Sequence, residues 1–99
     1  MDVKREKYRR IRGAMLKFLA KAHPGAIDSR VLYYLLDDVR YTMTEDEFLS
    51  HVIYLSELGY VRKERREAAG VEVTMYVITP QGLNLLDGFV ADVGVDVRF

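Results

Sequence analysis

Thr44-Glu-Asp-Glu-Phe-Leu-Ser-His-Val-Ile-Tyr-Leu-Ser-Glu-Leu-Gly-Tyr-Val61 reads as a capped amphipathic helix, a glycine stop and the first residues of a strand. Phe48, Val52 and Leu55 recur at helical spacing, with Leu49 and Ile53 widening one flank of the stripe and Leu58 the other, so one side of the helix must be buried. Thr44 and Glu47, three apart, fit a capping box in which hydroxyl and carboxylate each satisfy an orphan backbone N–H. Gly59 ends the helix at low cost in a left-handed conformation.

Upstream, Tyr8, Ile11, Met15, Phe18, Leu19 and Ala22 follow helical spacing, with Arg9, Arg10, Lys17 and Lys21 on the opposite face, so a first helix is expected within residues 1–22. His23-Pro24-Gly25 stops it. Asp28 suits the N-cap of a second helix from Ser29 to about Asp38, with Val31, Leu32, Leu35 and Leu36 as its buried stripe. Downstream the period changes. Tyr60 to Arg66 and Val71 to Thr79 read as two strands joined by a turn around Ala68, Ala69 and Gly70, a β-hairpin over 60–79. Thr79-Pro80 starts a short fourth helix over 80–87 with Leu83, Leu85 and Leu86 inward, ended near Gly88. Residues 88–99, with Val90, Val93, Val95 and Val97, are expected to form an extended arm whose exposed valines seek a partner edge or a second subunit.

Ninety-nine residues, 49% hydrophobic and 30% charged, suit one α+β domain with a single core. The chain has no cysteine, which excludes a disulfide framework and thiolate chemistry. Its start has no apolar core of a signal peptide, and its longest apolar run, Val31 to Leu36, is too short to cross a bilayer, so the cytoplasm and no membrane partner are expected. The zero net charge hides an asymmetry. Residues 1–21 hold eight Lys and Arg against two acids, a local charge of +6, and the remaining 78 residues carry −6. Such a basic segment makes a phosphate-binding surface or pairs with acidic groups in the same molecule or a second subunit.

The order helix, helix, helix, hairpin, helix, with the helix-turn-helix within 28–58, resembles the winged-helix superfamily. Tyr54-Leu-Ser-Glu-Leu-Gly59-Tyr60-Val61 is similar to the end of the third helix in many winged-helix regulators, and Tyr76-Val-Ile-Thr79-Pro80-Gln-Gly82 to the closure of their wing. A narrower resemblance is to the small winged-helix proteins of Mu-like phages and prophages, carried by Pro24-Gly25, Val31-Leu32 and the glycine-and-valine tail from Gly88 to Val97. It implies a phage-derived, DNA-binding transcriptional regulator.

In a DNA-binding winged helix the third helix enters the major groove while the wing and the first or second helix touch phosphates. Applied to this sequence, the wing supplies Arg62, Lys63, Arg65 and Arg66, the first helix Arg9, Arg10 and Arg12, and the third helix Ser50, His51 and Tyr54 as groove contacts. The outward side of that third helix should carry Asp46, Glu47, Ser50, Tyr54 and Glu57 with His51 at its edge, acidic and aromatic where base readers use Arg, Lys, Asn or Gln. The acids equally suit a helix N-terminus, and the wing cations equally suit a solvated strand edge beside Glu64, Glu67 and Glu72. Two functions follow. One is a dimeric protein that holds double-stranded DNA mainly by its backbone. The other is a protein-interaction module that docks a partner on Glu47 and Tyr54 without DNA. Neither His23 nor His51 has companions at metal spacing, and consecutive carboxylates such as Asp37-Asp38 diverge by about 100° on a helix. No enzyme activity, metal or cofactor is expected.

Overall fold

The computed structural model describes residues 2–98; Met1 and Phe99, the outermost positions of the expected first helix and tail, lie outside the described residues. The elements run α1 (Val3–Ala22), β1 (Ile27–Asp28), α2 (Ser29–Asp38), α3 (Glu45–Glu57), β2 (Val61–Ala68), β3 (Val71–Ile78) and α4 (Pro80–Leu86). Each helix begins on a side-chain cap, the expected Asp28, Thr44 and Thr79 for α2, α3 and α4 and, in addition, Asp2 for α1. Asp2 accepts from the N–H groups of Lys4 and Arg5, and Asp28 from those of Arg30 and Val31. Thr44 and Glu47 form the reciprocal box, and the Thr79 hydroxyl accepts from the N–H of Gly82. Gly59 closes α3 at φ +81°.

β2 and β3 are antiparallel and joined through Ala69 and Gly70, whose positive φ values of 53° and 77° match a mirror-image turn suited to strand twist. β3 is the central strand, because β1 pairs on its other side with Ile27 opposite Tyr76 and Asp28 opposite Met75. This third strand is not legible in the sequence: two residues between a turn and a helix cap show no alternation. One apolar cluster joins Ile11, Met15 and Leu19 of α1 to Leu32, Leu36, Val52, Leu55, Tyr76, Ile78 and Leu85.

Three expectations are corrected. Val31 of α2 is exposed, and Leu49 and Ile53 of α3 are 45% and 55% exposed, with Leu58 also at the surface. α3 is turned so that His51, 2% exposed, faces inward with Phe48, Val52 and Leu55, and Tyr54 is half-buried. Positions 48, 51, 52 and 55 form one continuous helical stripe, and a histidine is tolerated in it because Arg12 satisfies its ring nitrogen. Finally, the tail is not an extended arm. It folds back on α1, where the N–H of Asp96 donates to the carbonyl of Arg9 at 3.0 Å and Val95, 4% exposed, enters the core. Gly13 permits this approach, since a Cβ there would overlap the carbonyl of Asp96. Val93 stays in solvent, whereas Val95 is already covered by its own chain.

Candidate nucleic-acid interface

Side chains alternate along β2, so its four cations divide between two faces. Lys63 and Arg65 stand opposite Tyr76 and Thr74, on the face whose Tyr76 packs into the helical core. Arg62 and Arg66 lie on the other face and both reach Glu64, at 3.0 and 2.7 Å. Hydrogen bonds from Arg66 and then Arg62 hold the Glu64 carboxyl below its ordinary value. Arg65 lies 3.5 Å from Glu72, and Lys63 forms no ion pair among the described residues. All four cations are exposed. Ion pairs in water are weak and screened by salt, so they leave these groups free to exchange a carboxylate for a phosphate.

The solvent side of α3 is formed by Glu45, Asp46, Leu49, Ser50, Ile53 and Glu57. It carries no cation and no amide. Of the three predicted groove contacts only Ser50 is exposed there. Between this helix, α2 and the outer part of β3 runs a groove of about 490 Å³, lined among others by Arg30, Glu45, Leu49, Lys63, Glu72 and Thr74, a mixture of both charges with aliphatic surface.

The other predicted contacts converge on the tail. Arg12 lies over the ring of Tyr54, 3.8 Å from its centroid, and donates from Nε to His51 Nδ1 at 3.1 Å and from Nη1 to the Gly94 carbonyl at 3.2 Å. Arg9 donates from Nε to the Val93 carbonyl at 2.8 Å and from Nη1 to Glu6. Asp92 accepts from the hydroxyl of Tyr60 at 2.7 Å, from that of Tyr54 at 3.2 Å and from the Gly94 N–H at 2.8 Å. Burial alone would raise the Asp92 carboxyl, but these three hydrogen bonds and Arg12 outweigh it and hold it below its ordinary value. Burial, followed by the bond to Asp92, pushes the Tyr60 phenol up to about 12. Burial and then the positive charge of Arg12 lower His51 to about 4, so at neutral pH its Nδ1 is an acceptor. Asp92, Gly94 and Tyr60 are absent from the sequence-based site. Their one local sign is Asp92-Val93-Gly94, the spacing of a carboxylate that bonds the backbone two residues on.

No protein-family model matches the sequence, and no curated protein matches it. Solved structures do. A candidate transcriptional regulator from Thermoplasma acidophilum superposes with a TM-score of 0.64 at 22% identity, over 79% of this chain and 72% of that one. A PadR-like transcription factor from Bacteroides fragilis gives 0.61 at 16% identity, over 77% and 75%. The fold is a winged helix. A third likeness, to PadR of Bacillus subtilis in complex with operator DNA, has a TM-score of 0.56 at 12% identity; it covers 87% of this chain but only 53% of that protein, so the chain spans about half its length. Identities this low speak for the shared fold alone. On that fold, Arg62, Lys63, Arg65 and Arg66 are wing residues in solvent, and Arg10 is exposed on α1. His51 is buried, Tyr54 is stacked under Arg12, and Arg9 and Arg12 are bound to the tail. The described helices include none long and apolar enough to cross a membrane.

Proposed function

We propose that this winged helix binds double-stranded DNA as a transcriptional regulator and holds the duplex mainly by its backbone. The observation that carries this reading is the set of four exposed wing cations, Arg62, Lys63, Arg65 and Arg66, on a fold shared with a regulator seen on operator DNA. Arg10 extends the phosphate-binding surface. Base reading is restricted to the Ser50 hydroxyl, to Asp46 or Glu57 accepting from a cytosine amine, and to apolar contact of Leu49 and Ile53 with thymine methyl groups, because α3 offers no Arg, Lys, Asn or Gln to solvent. A homodimer in the cytoplasm and a Mu-like phage lineage belong to the same reading, the lineage resting on Pro24-Gly25, Val31-Leu32 and the glycine-and-valine tail.

The test is duplex binding measured between 50 and 200 mM salt. Each phosphate contact contributes roughly −0.9 to the slope of log K against log salt, so replacing the four wing cations with glutamine should flatten it by up to about 3.6. An absence of binding at low salt, by the chain and equally by a variant whose tail is freed from α1, would overturn the reading. A second reading is favoured by one observation: Leu49 and Ile53, two large aliphatic side chains, stand in solvent between Asp46 and Glu57 on α3. This aliphatic and acidic face suits a protein partner better than a phosphate backbone, and it becomes the preferred function if DNA binding fails.

A further inference from the structure

Four of the ten residues that the sequence nominates for DNA, namely Arg9, Arg12, His51 and Tyr54, are gathered around one short piece of the tail. We propose that residues 92–96 are an autoinhibitory strap: docked, they withhold Arg9 and Arg12 from phosphate, and their release adds α1 to the DNA-binding surface. The proposal rests on the DNA-binding reading and concerns its regulation.

The strap presents to α1 what a nucleic-acid backbone would present. The carbonyl oxygens of Val93 and Gly94 accept from the guanidinium groups of Arg9 and Arg12, as two phosphate oxygens would. Its near end is clipped by the Asp92 carboxylate to Tyr54 and Tyr60, and its far end by the Asp96 N–H to the carbonyl of Arg9. Both ends need a glycine. A Cβ on Gly94 would overlap the Tyr54 hydroxyl, and one on Gly13 the Asp96 carbonyl. The attachment is also slight. Within residues 92–96 the core receives a single apolar side chain, Val95, with the half-buried Val97 packed beside the core just beyond, and the lead-in 87–91 is exposed throughout. A segment with few buried apolar contacts opens more readily than the helices beneath it.

Gly94→Ala is the instrument of the test, because it wedges the strap off Tyr54 without changing any charge. Amide hydrogen exchange at Asp96, whose N–H is bonded to the Arg9 carbonyl, reports release, circular dichroism reports the fold, and duplex binding is measured on the full chain across a salt series. Release should raise affinity at low salt and steepen the slope by about 1.8, two phosphates at roughly 0.9 each. The increment should vanish in Gly94→Ala combined with Arg9→Gln and Arg12→Gln. Gly13→Ala wedges the opposite end and should act alike. If the parent binds DNA and a released variant binds no better, the strap proposal falls and the DNA-binding reading stands. If neither binds, both fall. If both wedges leave the Asp96 amide protected, or both unfold the chain, the tail is a fixed part of the fold and the proposal is overturned.

Discussion

His51 shows how a sequence reading can put one side chain on the wrong side of its helix. Its position at the edge of the apolar stripe suggested a solvent-facing group, yet it is buried against Tyr8, whose ring centroid lies 4.8 Å away edge-on, with Arg12 donating to it. A folded-state value near 4 against an ordinary 6.5 means that the unfolded chain takes up this proton first. The stability His51 contributes is therefore complete above about pH 6.5 and is lost as pH falls toward 4, by at most roughly 3 kcal/mol at about 1.36 kcal/mol per pH unit. Denaturant unfolding between pH 4 and 7 should show this loss. In His51→Asn, whose amide oxygen can replace Nδ1 without titrating, the pH dependence should be flatter; equal slopes in parent and variant would remove His51 from the account.

Elements were legible where chemistry is local. The caps at Asp28, Thr44 and Thr79 and the stops at Gly59 and Gly88 need only neighbours in the chain, and the helices begin and end on them. The hairpin turn carries a local imperfection instead. Ala69 holds φ at +53°, a region that a Cβ disfavours and that asparagine tolerates. Ala69→Asn would place Asn-Gly, the preferred pair for this turn, between β2 and β3 and is expected to stabilise the protein by up to about 1 kcal/mol. Thermal melting would register the rise. A decrease would mean that the turn is not of this type. Which face each helix buries was less legible, because Val31, Leu49 and Ile53 satisfy the same periodicity as the residues that are buried.

At the scale of the whole molecule, the tail decides which surfaces remain available to partners. Val95 is covered by its own chain, so among the described residues the large apolar groups that the tail leaves for the proposed dimer are Phe89, Val90 and Val93, all exposed. Sedimentation of the full chain is expected to show a dimer, and serine at positions 89 and 93 should shift it to monomer. A parent that sediments as a monomer at high concentration would refute assembly through this patch. The basic excess of residues 1–21 is likewise divided by tertiary structure: Arg9 pairs with Glu6 and the tail, Arg12 with His51 and the tail, and Arg10 lies at the surface.

By itself the sequence determined the number and order of the helices, the caps of the last three, the hairpin and its turn, and hence the winged-helix fold, since each rests on periodicity or on chemistry within a few residues. Tertiary structure alone decided the pairing of Ile27 and Asp28 with β3, the inward turn of His51 and the outward turn of Leu49 and Ile53. It also decided the return of Asp92 to α3 and to the residue that precedes β2, across 38 residues to Tyr54 and 32 to Tyr60. Contacts at that separation leave no local pattern, because they depend on which surfaces packing brings together and on two glycines whose missing side chains make room.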